Sequence, residues 1–114
     1  MPRPQKCRRV AFLPQAKYFK PSGVPLRMLD EIVLHLEEAE AIRLKDMEGL
    51  EQEEAAEMMN ISRPTFQRVL ASARRKVADA LLGSKAIRID GGNFEVSPLR
   101  FRHAGRCQIN LRRE

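Results

Sequence analysis

QEEAAEMMNISRPTFQRVLA, residues 52–71, is the stretch on which the fold turns. It reads as two helices joined by a tight turn. Ala56 falls where two crossing helices approach most closely, and a larger side chain there would push them apart. Asn60 falls at the turn and tolerates the left-handed conformation better than most residues that carry a Cβ. Ile61 can fill the space beneath that turn. Ser62 is suited to cap the next helix, since its hydroxyl accepts from exposed backbone amides. Pro64 then sits in the first turn, where a missing N–H costs nothing. Phe66, Val69, Leu70, Ala73, Val77, Ala80 and Leu81 recur at helical spacing and define one apolar face. Ser62, Arg63, Gln67, Arg68 and Ala71 lie largely off it.

Charge is divided sharply around this unit. Residues 37–57 carry nine acids against Arg43 and Lys45, whereas residues 62–76 carry five bases and no acid. Four more bases (Arg3, Lys6, Arg8, Arg9) lie in the first nine residues and five in the stretch 99–113. The net charge of +6 therefore understates how positive one surface becomes, and such a surface steers toward phosphate. A chain of 114 residues has the size of one domain. It has no apolar run near the roughly 20 residues of a membrane span, and MPRPQKCRRV lacks a secretory core. Two cysteines are too few for a disulfide framework. The expected location is the cytoplasm.

Working outward, prolines at 2, 4, 14, 21 and 25 make residues 1–30 irregular, with a short strand expected at Arg9–Leu13. FKPSGVP (19–25) reads as a loop packed across the helices and anchored by Tyr18 and Phe19. Ile32–Leu36 is β-prone, with the start of the next helix as the alternative. A first helix is expected over Glu37–Met47, its acids favouring the helix dipole and Gly49 ending it. A second covers Gln52–Met59. The third starts after Ser62 and runs to Leu82, with Gly83 as its stop and a length of about 30 Å. Its later half is expected to pack on residues 1–30 or on a second copy. Lys85–Asp90 alternates like a strand, pairs with Arg9–Leu13 and leads to the Gly91–Gly92 turn. The expected division is a basic, proline-rich segment 1–36, a DNA-binding unit 37–82, a strand and turn 83–92, and a basic flexible tail 93–114.

Residues 40–76, EAIRLKDMEGLEQEEAAEMMNISRPTFQRVLASARRK, resemble region 4 of bacterial sigma-70 factors in the order of their parts. A wider resemblance is to the small prokaryotic proteins called UPF0251 or DUF134. It is carried by PRPQKCRRV (2–10), YFKPSGVPL (18–26), residues 40–70, ARRKVADAL (73–81) and KAIRIDGG (85–92). The resemblance implies a DNA-binding protein without enzymatic activity. The expected fold is mainly α, a three-helical, winged-helix-like helix-turn-helix of the sigma-70 region 4 type with short flanking β-strands. Two departures stand out. Ala11 occupies a position where many relatives have a second cysteine, and His35 stands where a Ser or Thr would cap the first helix.

The resulting expectation is a sequence-specific double-stranded DNA binder that regulates transcription and works as a homodimer. Arg63 and Arg68 would read guanine through O6 and N7, and Gln67 would read adenine. Ser62, Thr65, Arg74, Arg75 and Lys76, with Arg8 and Arg9 of the basic N-terminus, would hold phosphates. The alternative is a protein-interaction module, for instance one bound to RNA polymerase, using the acidic helix 51–57. No metal or other cofactor is expected. His103 and Cys107 are the single local pair of ligand types, whereas structural zinc sites show two such pairs. Asp30, Glu31, Glu37 and Glu38 have no visible partner for catalysis.

Overall fold

A computed structural model describes residues 8–92 and 94–96. The chain is mainly helical with a small three-stranded sheet. Strand β1 (Arg8–Val10) and β2 (Tyr18–Phe19) precede a single 3₁₀ turn at Leu26–Met28 and strand β3 (Glu31–Leu34). Helix α1 (Leu36–Ile42) runs directly into a π-helical turn at Arg43–Met47. Then come α2 (Gln52–Met59), α3 (Arg63–Gly83), β4 (Ala86–Ile89) and β5 (Phe94–Val96). No helix among the described residues is long and apolar enough to cross a membrane.

The turn between α2 and α3 follows local chemistry. Asn60 takes φ 61° and ψ 43°, which breaks α2 after Met59. The Ser62 Oγ accepts from the Thr65 backbone N–H at 3.3 Å, closing the first turn of α3. Ile61 packs under the turn against the core. A β-branched residue cannot rest at the Asn60 dihedrals without a clash of its Cβ with backbone. Asn60→Val is accordingly expected to lower stability by about 1–2 kcal/mol while Asn60→Gly leaves it nearly unchanged, as read by urea denaturation.

The core has two adjoining parts. Ala41, Leu44, Ala55, Ala56, Met59, Phe66 and Leu70 bring the three helices together. Leu34, Ala73 and Ile89 join the back of α3 to the sheet, with Leu36, Ala39, Ile42 and Ile87 around them. Strands β3 and β4 are parallel neighbours, with Glu31 opposite Ala86 and Leu34 opposite Ile89. All three helices thus lie within one β-to-β crossover, whose two ends are tied by that pairing. Strand β2 adds antiparallel to the other side of β4.

Several expectations change here. Strand β4 pairs with β3 and β2, not with Arg9–Leu13, because β1 is taken by β5 in a separate parallel ribbon. Phe94–Val96 therefore belongs to a strand rather than to a tail; Phe94 and Val10 are buried within that ribbon. Residues 97–114, including His103 and Cys107, lie outside the described residues, as does Cys7. Tyr18 and Phe19 form an exposed edge instead of anchors across the helices. Helix α3 packs on α1, α2, β3 and β4. Leu81 does not join its apolar face. It lies one position beyond the last buried contact, Ala80, and is 71% exposed.

The sheet meets α1 at a tight crossing. Gly91 O accepts from Leu36 N at 3.0 Å, and His35 Nδ1 lies 3.3 Å from Asp90 O. Gly92 has φ 106°, and a Cβ there would run into the Glu37 carboxylate and His35 Cβ. His35 is the N-cap residue of α1, and its ring also faces Asp90 O. Glu38 closes the cap from the other side, its Oε1 accepting from His35 N at 2.9 Å.

Candidate nucleic-acid interface

The outward side of α3 is a continuous cationic surface built by a single element. A helix turns by about 100° per residue, so its exposed positions can be placed on an arc. Arg63 and Arg74 fall on one shoulder, Arg68 and Arg75 on the other. Gln67, Ala71 and Ala78 lie between them, and all seven are exposed. Residues 63–78 contain no acid. The opposite side is fixed in the core by Phe66, Leu70, Ala73 and Ala80, which prevents the arc from rotating away. The result is a ridge about 18 Å long from Arg63 to Arg75, uncharged along its crest and basic on both flanks.

The seven residues differ in how available they are. Arg63, Arg68 and Arg75 have no ion-pair partner among the described residues. Arg74 is held by Asp46 of the π turn, with Nε and Nη2 at 3.1 and 2.5 Å from its two carboxylate oxygens. The Arg74 guanidinium holds the Asp46 carboxyl below its ordinary range, against a small opposing effect of burial.

Other expected contact residues sit elsewhere. Lys76 turns inward, where its Nζ donates to Glu38 Oε1 at 2.7 Å and to Val33 O at 2.8 Å. It ties α3 to α1 and β3 and does not stand on the ridge. Ser62 and Thr65 hydrogen-bond each other at the start of α3, Oγ to Oγ1 at 3.0 Å in addition to the cap. Arg8 and Arg9 are half-buried strand residues of β1, their Nε atoms shielded from solvent.

Two residues beside the ridge carry no sequence signal of their own. Lys45 and Gln52 line a shallow groove with Arg63, and Gln52 continues into the next groove beside Gln67, Arg68 and Arg74. Their proximity depends on how α2 crosses α3, which spacing within either helix does not reveal. The same crossing sets an acidic wall of Glu51, Glu53, Glu54 and Glu57 beside Arg63. Among the described residues no group of three or more His, Cys, Asp or Glu is placed to hold a metal ion.

Residues 1–97 match the family model described as "Protein of unknown function DUF134". A UPF0251 protein of Thermoanaerobacter pseudethanolicus is 66% identical over 96 residues, covering 84% of this chain and 81% of that one. A UPF0251 protein of Desulforudis audaxviator is 62% identical over 105 residues, covering 92% and 69%. One from Dehalococcoides mccartyi is 61% identical over 110 residues, covering 95% and 94%. No solved structure matches the chain.

Proposed function

The chain belongs to the DUF134 family, whose description carries no function, and we propose that it is a sequence-specific double-stranded DNA-binding protein that regulates transcription. The observation that carries this reading is the α3 ridge, a buried-backed helix with uncharged residues on its crest and arginines on both shoulders. B-DNA's major groove is about 12 Å wide and admits a helix of about 10–12 Å with its side chains. Ala71 lets the backbone approach the base edges, and Arg74 and Arg75, one on each shoulder, then face the two phosphate walls. In this docking α2 and α3 act as a helix-turn-helix of the sigma-70 region 4 type, with the N-terminal part of α3 toward the bases.

Gln67 and the shoulder residues Arg63 and Arg68 are nearest the base edges. Arg75 serves phosphate, as does Arg74 once released from Asp46. The activity is binding rather than catalysis, and the place of action is the cytoplasm, where the DNA is. A single ridge of this size gives weak binding, so the working form is a homodimer on a symmetric site.

Arg68→Ala is expected to cost about 1–3 kcal/mol on a selected site and to relax preference at one base pair. Selection of bound sequences from random DNA, repeated with the variant, measures this. An equal loss on selected and random duplexes would make Arg68 a phosphate contact instead. If wild-type protein selects no sequence and binds no duplex even at low salt, the DNA reading fails. The exposed acids of α2 favour a second reading, a module docking on a basic protein partner such as RNA polymerase. Capture of such a partner without any affinity for DNA would support it.

A further inference from the structure

Arg74 stands on the DNA-facing ridge while already holding an anion. Asp46 engages it through both carboxylate oxygens, and the two side chains remain 52% and 39% exposed. This geometry is the one a guanidinium uses on phosphate, two N–H groups on two oxygens of a single anion.

The position of Asp46 is built into the fold. The Arg43–Met47 turn is π-helical, closed by Glu48 N donating to Arg43 O at 2.8 Å. Leu44 anchors the turn in the core, and Arg43 fastens it to Glu40 and Glu48. From this turn Asp46 reaches Arg74 of α3, 28 positions along the chain.

We infer that Asp46 is a specificity-determining residue of the ridge, an internal competitor for phosphate at Arg74 that lowers affinity for DNA of arbitrary sequence. Phosphate contacts hold a protein on any duplex without reading bases. Neutralising Arg74 from within removes one of them, so base contacts contribute a larger share of the total. The inference rests on the DNA reading above.

The test is fluorescence anisotropy on a random-sequence 30-base-pair duplex across a salt series. Asp46→Asn is expected to bind roughly three- to tenfold more tightly and to steepen the log–log salt slope by about one phosphate equivalent. Asp46→Ala should behave alike. The gain should depend on Arg74, so that on an Arg74→Ala background Asp46→Asn adds no further affinity and no further slope. Affinity and slope unchanged in Asp46→Asn, with wild type binding normally, overturn the inference and leave the DNA reading intact. Weaker binding by Asp46→Asn overturns it as well, since Asp46 would then be aligning Arg74 for phosphate. Absence of any salt-sensitive binding by the wild type removes both.

Discussion

Phe66→Ala is expected to lower the unfolding free energy by about 3–5 kcal/mol, the range for emptying a buried aromatic site. Phe66 is fully buried in the cluster where the three helices meet. The upper part of the range applies because of what surrounds it. Ala41, Ala55 and Ala56 belong to the same cluster, and none of them can extend a side chain into the vacated space. Leu44, Met59 and Leu70 are the larger members, each nearly or fully buried and held by its own helix. A domain of this size has about 5–15 kcal/mol in total, so the variant would sit close to unfolding. The urea midpoint should fall steeply while the dependence on denaturant stays the same. Phe66→Leu should lose about half as much, since most of the volume remains. A midpoint unmoved by Phe66→Ala would mean that α2 and α3 do not pack as described. DNA affinity should fall with the folded fraction and no further, because Phe66 is on the opposite side of α3 from the ridge.

That placement separates what was legible in the sequence from what was not. The bounds of α2, the left-handed Asn60 and the Ser62 cap follow from interactions spanning four residues or fewer, and Ala56 and Phe66 stand at positions that the helical period and the turn mark for the core. Local chemistry decides them, and the sequence displays it directly. Membership of the DUF134 family was equally visible in its quoted segments. Strand pairing was not legible, because β1, β2 and β5 have two or three residues each and their partners lie up to about 86 positions away. The run Glu37–Glu40 shows the same limit in charge. It reads as a dipole-favouring helix start with no visible partner, yet Glu37, Glu38 and Glu40 are all buried. Glu40 holds Arg43 through two hydrogen bonds and accepts from Ala11 N at 3.1 Å. Only the folded chain brings those donors together. In the candidate interface, Arg63, Gln67 and Arg68 remain exposed as expected, whereas Lys76 is diverted inward by Glu38, 38 positions earlier.

The Glu38–Lys76 link carries the second large effect. Glu38 accepts from Lys76 Nζ at 2.7 Å, from Ser72 Oγ at 2.6 Å and from His35 N at 2.9 Å. Burial pushes its carboxyl up, but the hydrogen bonds from Lys76, Ser72 and His35 outweigh that and hold it below the ordinary range. Glu38→Gln keeps the shape and removes the charge, leaving Lys76 half-covered with no counter-ion. The expected loss at pH 7 is about 3 kcal/mol, the low end for breaking a buried pair, because Lys76 keeps 29% of its side chain in solvent. The pH dependence has a definite sign. A carboxyl depressed in the folded state stabilises fully above its unfolded value, here 4.5, and loses that contribution as pH falls through the folded value. The gap between wild type and Glu38→Gln should therefore be constant from pH 7 to about 5.5 and should shrink steadily below 4.5. Urea midpoints at several pH values give that curve, and a gap independent of pH would show that the charge contributes nothing. The same link distinguishes the two basic neighbours on α3. Lys76→Ala should lower stability without changing the salt slope of DNA binding. Arg75→Ala should reduce that slope by about one and leave stability alone. The reverse pattern would place Lys76 on the phosphate and remove it from the strut between α1 and α3.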